Sequence, residues 1–451
     1  MDTQFIMKLR PKRGIDLDRN KVDVIVIGGG SAGMAAAITL ARANKKVVVI
    51  ERGNFAGSKN MFGGSIYVQP TAEIYPEFWN SAPIERFNVE HKYALLGDTN
   101  STTISYKNPK LSEGKYNSCT VFRAKWDRWC SQQAEKEGVY IAPETVVTDL
   151  IKKNGKFVGV RTYQEDFFAD IIIIAEGVNS ILTEKAGLKK KIHPKHVAVG
   201  IKEVIKLDKE KLQDRLLLDD NSGCIYTLVG GPLKDVVGLG YIYTNKESIV
   251  IGLGVELADL QKKLLKPYEL LEELKSHPQI QSLIKDGEVL EYSAHLIPEG
   301  GYNAIPKLYT DGLMVVGDAA MLVNNIHWEG TNLAMISGKL AAETAIEAIN
   351  SNDFSEKKLS LYKKKLDKSF IIKDLKAYKD VMNFVAKNSK IFVGYYPNKV
   401  NEFFEMFTSV DSIPKQKKIR DYIFSFFKER KITGLISDVI KAVKAAIGVI
   451  F

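Results

Sequence analysis

The first apolar run, Val22 to Ile27, reads Val-Asp-Val-Ile-Val-Ile, and a β-branched run of that kind predicts a strand buried on both faces of a parallel sheet. Ala32 to Ala43 is alanine-rich with a helical pattern, and Lys46 to Ile50 is a second apolar strand. Gly312 to Ala320 carries another apolar strand much later in the chain, running into Gly317-Asp318 and a small-residue segment. Between about 195 and 300 the pattern changes: Val197 to Ile205, Cys224 to Val229, Gly238 to Thr244 and Ser248 to Leu253 predict an antiparallel sheet, the last two strands joined through Asn245-Lys246-Glu247 as a hairpin. Residues 256–288 read as a helical excursion from that sheet, and residues 351–451 as helical and lysine-rich.

Composition narrows the class. Apolar residues are 45% and charged residues 26% of 451, the balance of an ordinary globular protein. No apolar run reaches the roughly 18 residues a spanning helix needs, and Met1 to Asn20 is charged without an apolar signal region, which predicts a cytoplasmic protein. The three cysteines, Cys119, Cys130 and Cys224, form no CxxC pair and are too few for a cluster or a disulfide framework. Net charge is +10, which suits an acidic partner, an anionic lipid surface or nucleic acid, or simply a solvated lysine-rich surface. No nucleic-acid motif or stacking platform accompanies the charge, so nucleic-acid binding is not expected.

The candidate chemistry begins directly after the first strand. Gly28, Gly30 and Gly33 have the G-x-G-x-x-G spacing and open the alanine helix at Ala32. The first glycine permits a tight turn, the second lets a pyrophosphate approach the backbone, and the third lets helix and strand lie close. The phosphates then meet free N–H groups at the helix start. Glu51 ends the second strand about twenty residues on, followed by Arg52, and its carboxylate can accept both ribose hydroxyls. Strand, glycines, helix, strand and terminal acid in register predict an adenine dinucleotide site.

Gly312 to Ala320 carries an apolar strand into Gly317-Asp318 and resembles the second fingerprint of FAD-dependent oxidoreductases, whose Asp holds the ribityl and pyrophosphate part of FAD. Ile171 to Ser180 resembles that family's third FAD-contacting motif, with Glu176 before Gly177 where Asp is usual. Three motifs in order point to FAD rather than NAD. Glu51 to Tyr67, Arg123 with Trp126 to Trp129, Gly240 to Leu253 and Glu291 to Pro298 together resemble FixC-like flavoproteins of the electron transfer flavoprotein–quinone oxidoreductase family, within the geranylgeranyl reductase superfamily.

The resemblance implies an α/β fold: a Rossmann-like FAD-binding domain with an inserted antiparallel-sheet substrate domain and a helical C-terminal region. The expected divisions are a basic extension over 1–20, the FAD-binding domain over 21–194 and 301–350, the quinone or substrate domain over 195–300 and the helical region over 351–451. The resemblance also implies FAD as cofactor, an electron transfer flavoprotein as donor, a membrane quinone as acceptor and a small ferredoxin-like iron–sulfur protein as partner. Full-length relatives carry a cluster domain, whereas no cysteine follows Cys224 here. Geranylgeranyl reduction is the alternative activity, although Phe62 stands before Gly63-Gly64 where those reductases commonly carry Cys.

Such a flavoprotein needs no protein nucleophile or metal, because the isoalloxazine does the redox chemistry. By resemblance, Gly63 and Gly64 lie beside the flavin ring, Arg123 meets the FAD phosphates, and the helix start at Gly330, Thr331 and Asn332 points at the N1/O2 edge, where its dipole stabilises negative charge. His327 and Glu329 precede that start and are candidates to relay protons, or else surface or hydrogen-bonded structural residues. His193 and His196 lack a second ligand cluster, so no metal site is expected, and His295 reads as a hydrogen-bonded strand histidine. At the C-terminus Ile432, Leu435, Ile436, Val439, Ile440, Val443, Ile447 and Ile450 form a stripe at helical spacing, behind a basic cluster from Lys415 to Arg420 with interleaved aromatics. That end suits an anionic membrane surface, peripheral on the inner face of the cell membrane, or packing on the domain or a partner.

Overall fold

In the computed structural model, which describes residues 21–61 and 64–450, the first apolar run forms the strand Lys21–Ile27 at the centre of an eight-stranded sheet. It lies between Asp166–Ile174 and Val47–Ile50, parallel to both, with Ile25 opposite Ile172 and Val48. Val24, Ile25, Val26 and all four residues of Val47–Ile50 are buried, as strands covered on both faces require. Leu313–Val315 extends the parallel set on one side and Tyr140–Ala142 on the other. A hairpin, Val147–Lys153 and Lys156–Thr162, pairs antiparallel with the start of Asp166–Ile174. The expected Rossmann-like core is therefore present, while the extension over 1–20 and Gly63 lie outside the described residues.

Two long helices cover one face. Ser31–Arg42 follows the glycine turn, and Thr331–Asn350 packs against it so closely that a Cβ on Gly338 would stand 2.1 Å from the Ala32 carbonyl oxygen. The alanines of both helices are what let the two backbones approach.

The second sheet has nine strands and draws on more of the chain than the pattern over 195–300 suggested. Val197–Lys206, Ser222–Gly230, Gly238–Thr244, Ser248–Glu256 and Glu288–Pro298 supply five, and Gly64–Tyr67, Ile84–Leu96, Ser101–Lys107 and Ser118–Val121 supply the other four. The two groups join through a parallel pairing of Ser222–Gly230 with Ile84–Leu96, for example Ile225 opposite His91. Pairing over such sequence separation leaves no local signal, which is why the pattern alone places the roof in one insert.

Buried Arg86 fastens this seam. Its guanidinium donates to the carbonyls of Asn245 at 2.7 Å, Asp219 and Ser222 at 2.9 Å, and Lys246 at 3.1 Å, tying the hairpin turn to the loop before Ser222–Gly230. The outer face of the sheet carries Ile201, Ile249, Ile251, Leu253 and Val255 onto the short helices Leu257–Lys263, Pro267–Ser276 and Pro278–Ile284, the expected excursion. The inner face looks onto the first sheet. Beyond Asn350 the chain is helical through Ile450, as the lysine-rich pattern predicts.

Candidate functional site

The glycine turn is built by exclusion. Gly28 has φ +102°, and a Cβ there would lie 2.4 Å from the Ala175 carbonyl oxygen; on Gly33 it would lie 1.9 Å from the Gly28 carbonyl oxygen. Gly30 differs, because a Cβ would meet nothing within 4 Å. Its front is open cavity, the room a pyrophosphate needs. Gly30 also N-caps Ser31–Arg42 without a side-chain cap, and Gly330 does the same for Thr331–Asn350. Neither helix has an acidic residue in its first turn, and both starts open into one cavity of about 1130 Å³. Two uncapped positive helix ends facing one space match an anionic dinucleotide.

The remaining predicted ligands largely converge on that cavity. Glu51 and Arg52 line one end. Both Glu51 oxygens already accept backbone N–H groups, from Gly29 at 2.8 Å and Gly53 at 2.6 Å, which aims the carboxylate and leaves each oxygen a lone pair for a ribose hydroxyl. Arg123 donates to Asp127 at 3.1 and 3.2 Å and to Ser31 Oγ at 3.1 Å, so its guanidinium is held beside the glycine turn. Asp318 lines the cavity opposite, its carboxyl raised by burial against the pull of His295 and Arg123. Ala32, Gly177, Gly330 and Thr331 also line it.

Other predicted residues sit elsewhere. Gly33, Gly317 and Asn332 lie behind the wall: Gly317 N–H donates to Ser337 Oγ at 2.9 Å and Asn332 Nδ2 to Glu329 at 3.1 Å. Glu176 reaches the cavity, but its carboxylate accepts from the backbone N–H groups of Leu182 at 2.9 Å and Thr183 at 2.7 Å, capping Ile181–Lys185. The extra methylene relative to Asp gives it that reach. Gly64 opens the strand Gly64–Tyr67 with free space in front of it. His327 is exposed, and its Nε2 lies 2.6 Å from the Tyr378 hydroxyl rather than on the cavity wall. His295 is bonded through Nδ1 to the Leu296 carbonyl at 2.5 Å and does line the cavity.

What the motifs did not disclose is the roof. Strand alternation brings Tyr241, Tyr243, Lys202, His295, Gly254 and Glu256 to its inner face. Tyr241 and Tyr243 stack with centroids 5.0 Å apart, and Trp328, whose left-handed backbone (φ +61°) is unusual for a bulky residue, meets Tyr241 edge-on at 5.9 Å. Tyr67 donates from its hydroxyl to the His327 carbonyl at 2.9 Å; burial and the Glu329 carboxylate push that hydroxyl up to about 12, so it stays protonated. These rings give that part of the cavity an aromatic wall. At the far end burial, and then Glu256, push the Glu299 carboxyl up to about 8. The signal for all these residues was the period-2 side of each strand, which becomes readable only once the neighbouring strands are known.

The C-terminal stripe divides between two surroundings. Leu435, Asp438 and Ala442 face Phe392, Tyr396 and Phe426, with Asp438 paired to Arg430 and accepting from the Tyr396 hydroxyl at 2.8 Å. Ile432, Ile436, Val439, Ile440 and Val443 are exposed, as are Ile423, Phe424 and Phe427 on the preceding helix Lys415–Glu429. Among the described residues no helix is long and apolar enough to cross a membrane.

Comparison with known proteins agrees with this geometry. Residues 23–189 match the family described as FAD dependent oxidoreductase, residues 197–297 the ubiquinone-binding family of ETF-QO, and residues 381–447 the ETF-QO/FixC family C-terminal domain. Protein FixC of Azorhizobium caulinodans is 41% identical over 429 residues, covering 94% of this chain and 99% of that protein. Protein FixC of Escherichia coli K12 is 37% identical over 423 residues, covering 93% and 98%. Among solved structures, a geranylgeranyl bacteriochlorophyll reductase-like protein from Thermoplasma acidophilum superposes with TM-score 0.70 at 21% identity, covering 91% of this chain and 98% of that one. The flavin-dependent brominase Bmp2 superposes at 0.63 and 16%, covering 91% and 100%. At those identities the structural likeness concerns the fold.

Proposed function

This chain belongs to the FixC and electron transfer flavoprotein–quinone oxidoreductase family of FAD-dependent oxidoreductases, and on that premise we propose that its FAD takes electrons from an electron transfer flavoprotein and passes them to a membrane quinone, with a small ferredoxin-like partner holding a neighbouring iron–sulfur cluster. The observation that carries this reading is the continuity of the cavity. One space of about 1130 Å³ joins the dinucleotide cradle to the inner face of a sheet whose residues 197–297 match a ubiquinone-binding family, and it exceeds the range of a single small-molecule pocket.

Bound FAD supplies the redox chemistry, exchanging electrons singly with a cluster or in pairs with a quinone. The protein's residues position and insulate. Gly28, Gly30 and the start of Ser31–Arg42 hold the pyrophosphate, with Arg123 adding charge; Glu51 orients the adenosine ribose. Gly330 and Thr331 present free N–H groups at the ring end, where they favour negative charge. Tyr67, Tyr241, Tyr243 and Trp328 wall that end. Quinones partition into bilayers, and the exposed apolar face of Ile432–Ile450, beside basic Lys415–Glu429, provides a peripheral contact with the inner face of the cell membrane.

The test is stopped-flow spectroscopy of the flavin reduced by an electron transfer flavoprotein in the presence of the ferredoxin-like partner. Reoxidation by a short-chain quinone, with no reaction towards a geranylgeranyl lipid, is the expected outcome. Reoxidation by the lipid alone would assign the chain to prenyl reduction instead.

A further inference from the structure

Lys202 is unusual for a lysine: only 6% exposed, it points from the roof into the cavity rather than to solvent. Its neighbour Glu203 alternates to the other face and pairs with Lys275 at 2.9 Å, so the strand sorts one charge outward and the other inward. On the inner face Lys202 lies opposite Gly252 and Ser293, and Gly252 lies opposite Tyr241. A Cβ on Gly252 would stand 2.6 Å from Lys202 Cβ and 2.7 Å from Tyr241 Cζ, so these two side chains close over the glycine. Two residues further along the same strand, Gly254 has nothing within 4 Å of its Cβ position and leaves open space. Tyr241 in turn touches Trp328, two residues before the helix start at Gly330. Lys202 therefore borders the aromatic part of the cavity where a planar ring fits.

We propose that Lys202 is the cation that faces the redox ring of bound FAD and takes up a proton when that ring is reduced. The charge balance gives the reason. Two electrons add two negative charges to the ring; one proton bound on the ring leaves one charge, and a second proton, taken from solvent by the Lys202 amine, neutralises it. Among the described residues, the charges that act on Lys202 include Arg123 from the helix Arg123–Lys136 and Glu291 from Glu288–Pro298, and Tyr241 and Tyr243 from Gly238–Thr244, His295 from Glu288–Pro298 and Asp318 from the turn after Leu313–Val315 line the same cavity. Burial foremost, then the Arg123 guanidinium, hold the amine down at about 7 against a smaller pull from Glu291. Near neutrality the amine is thus poised to change protonation when a negative charge appears beside it. The role is the same whichever donor and acceptor the flavin serves.

The test is spectroelectrochemical titration of the holoprotein across pH. In the native protein the midpoint potential should fall with a slope of nearly two protons per two electrons above about pH 7, where the oxidised form holds Lys202 neutral, and flatten to one proton below it. Lys202→Met should lower the potential and show one proton per two electrons throughout. Lys202→Arg keeps a charge that does not titrate, so it should retain the high potential and lose the extra proton. A native slope of one proton above pH 7, or variants that titrate like the native protein, would overturn the proposal. So would a variant that binds FAD more weakly but keeps the native slope, which would make Lys202 a phosphate ligand. If both variants lose FAD, the native slope decides alone.

Discussion

At the scale of single residues, the three glycines of the turn fail differently when substituted. Gly30→Val should leave a folded protein, because the position is open and the loss is confined to the helix cap, about 1 kcal/mol, yet FAD content should fall more than tenfold since the side chain fills the pyrophosphate space. Gly33→Val must push apart helix and strand, costing roughly 3 kcal/mol or more, and should lower the melting temperature of the apoprotein as well as remove the flavin. Differential scanning fluorimetry with flavin absorbance separates the two. Residues such as Gly28, Gly30, Glu51 and Asp318 were legible in the sequence because their backbone or charge requirements are local to a turn or strand end. Lys202 was not, because Val-Gly-Ile-Lys-Glu-Val reads as an apolar strand with a solvated ion pair, and only its neighbours decide that the lysine faces inward. For His327 adjacency to the helix start says little about position: Trp328 lines the cavity, while His327 meets Tyr378.

At the scale of elements, the strand–helix–strand unit and the 20-residue helix Thr331–Asn350 were readable from apolar and alanine patterns, since each is specified by its own residues. The strands between Gly64 and Val121 were not, for Ser101–Lys107 is largely exposed and Ile84–Leu96 mixes buried and exposed positions without clean alternation. The C-terminal helix was readable as amphipathic but not as two-sided. Leu435 and Ala442 dock it on the protein while Ile432, Ile436, Val439 and Val443 face outward, so its removal tests the outward face. Deletion from residue 432 should abolish co-sedimentation with anionic liposomes and leave FAD content unchanged. Binding by the intact protein should weaken as salt screens the lysines of Lys415–Glu429. Equal sedimentation of the truncated chain would assign the helix to packing alone.

For the whole molecule, the decisive feature is how the two sheets share the chain. The roof pairs residues 84–96 with residues 222–230, and the parallel sheet receives its last parallel strand only at Leu313–Val315, after the roof has been completed. A fragment ending at residue 300 contains the glycine turn and Glu51 but lacks Asp318 and the second helix start, so it should purify without flavin even when FAD is supplied, as absorbance at the flavin bands would show. The same wiring sets a schedule in the cell. Long-range pairings close late, and a chain emerging from the ribosome holds an unfinished cradle with its glycine turn exposed for most of its synthesis. The nascent polypeptide can close on its flavin only once Thr331–Asn350 has emerged, so loading belongs to the last part of synthesis and to the period after release.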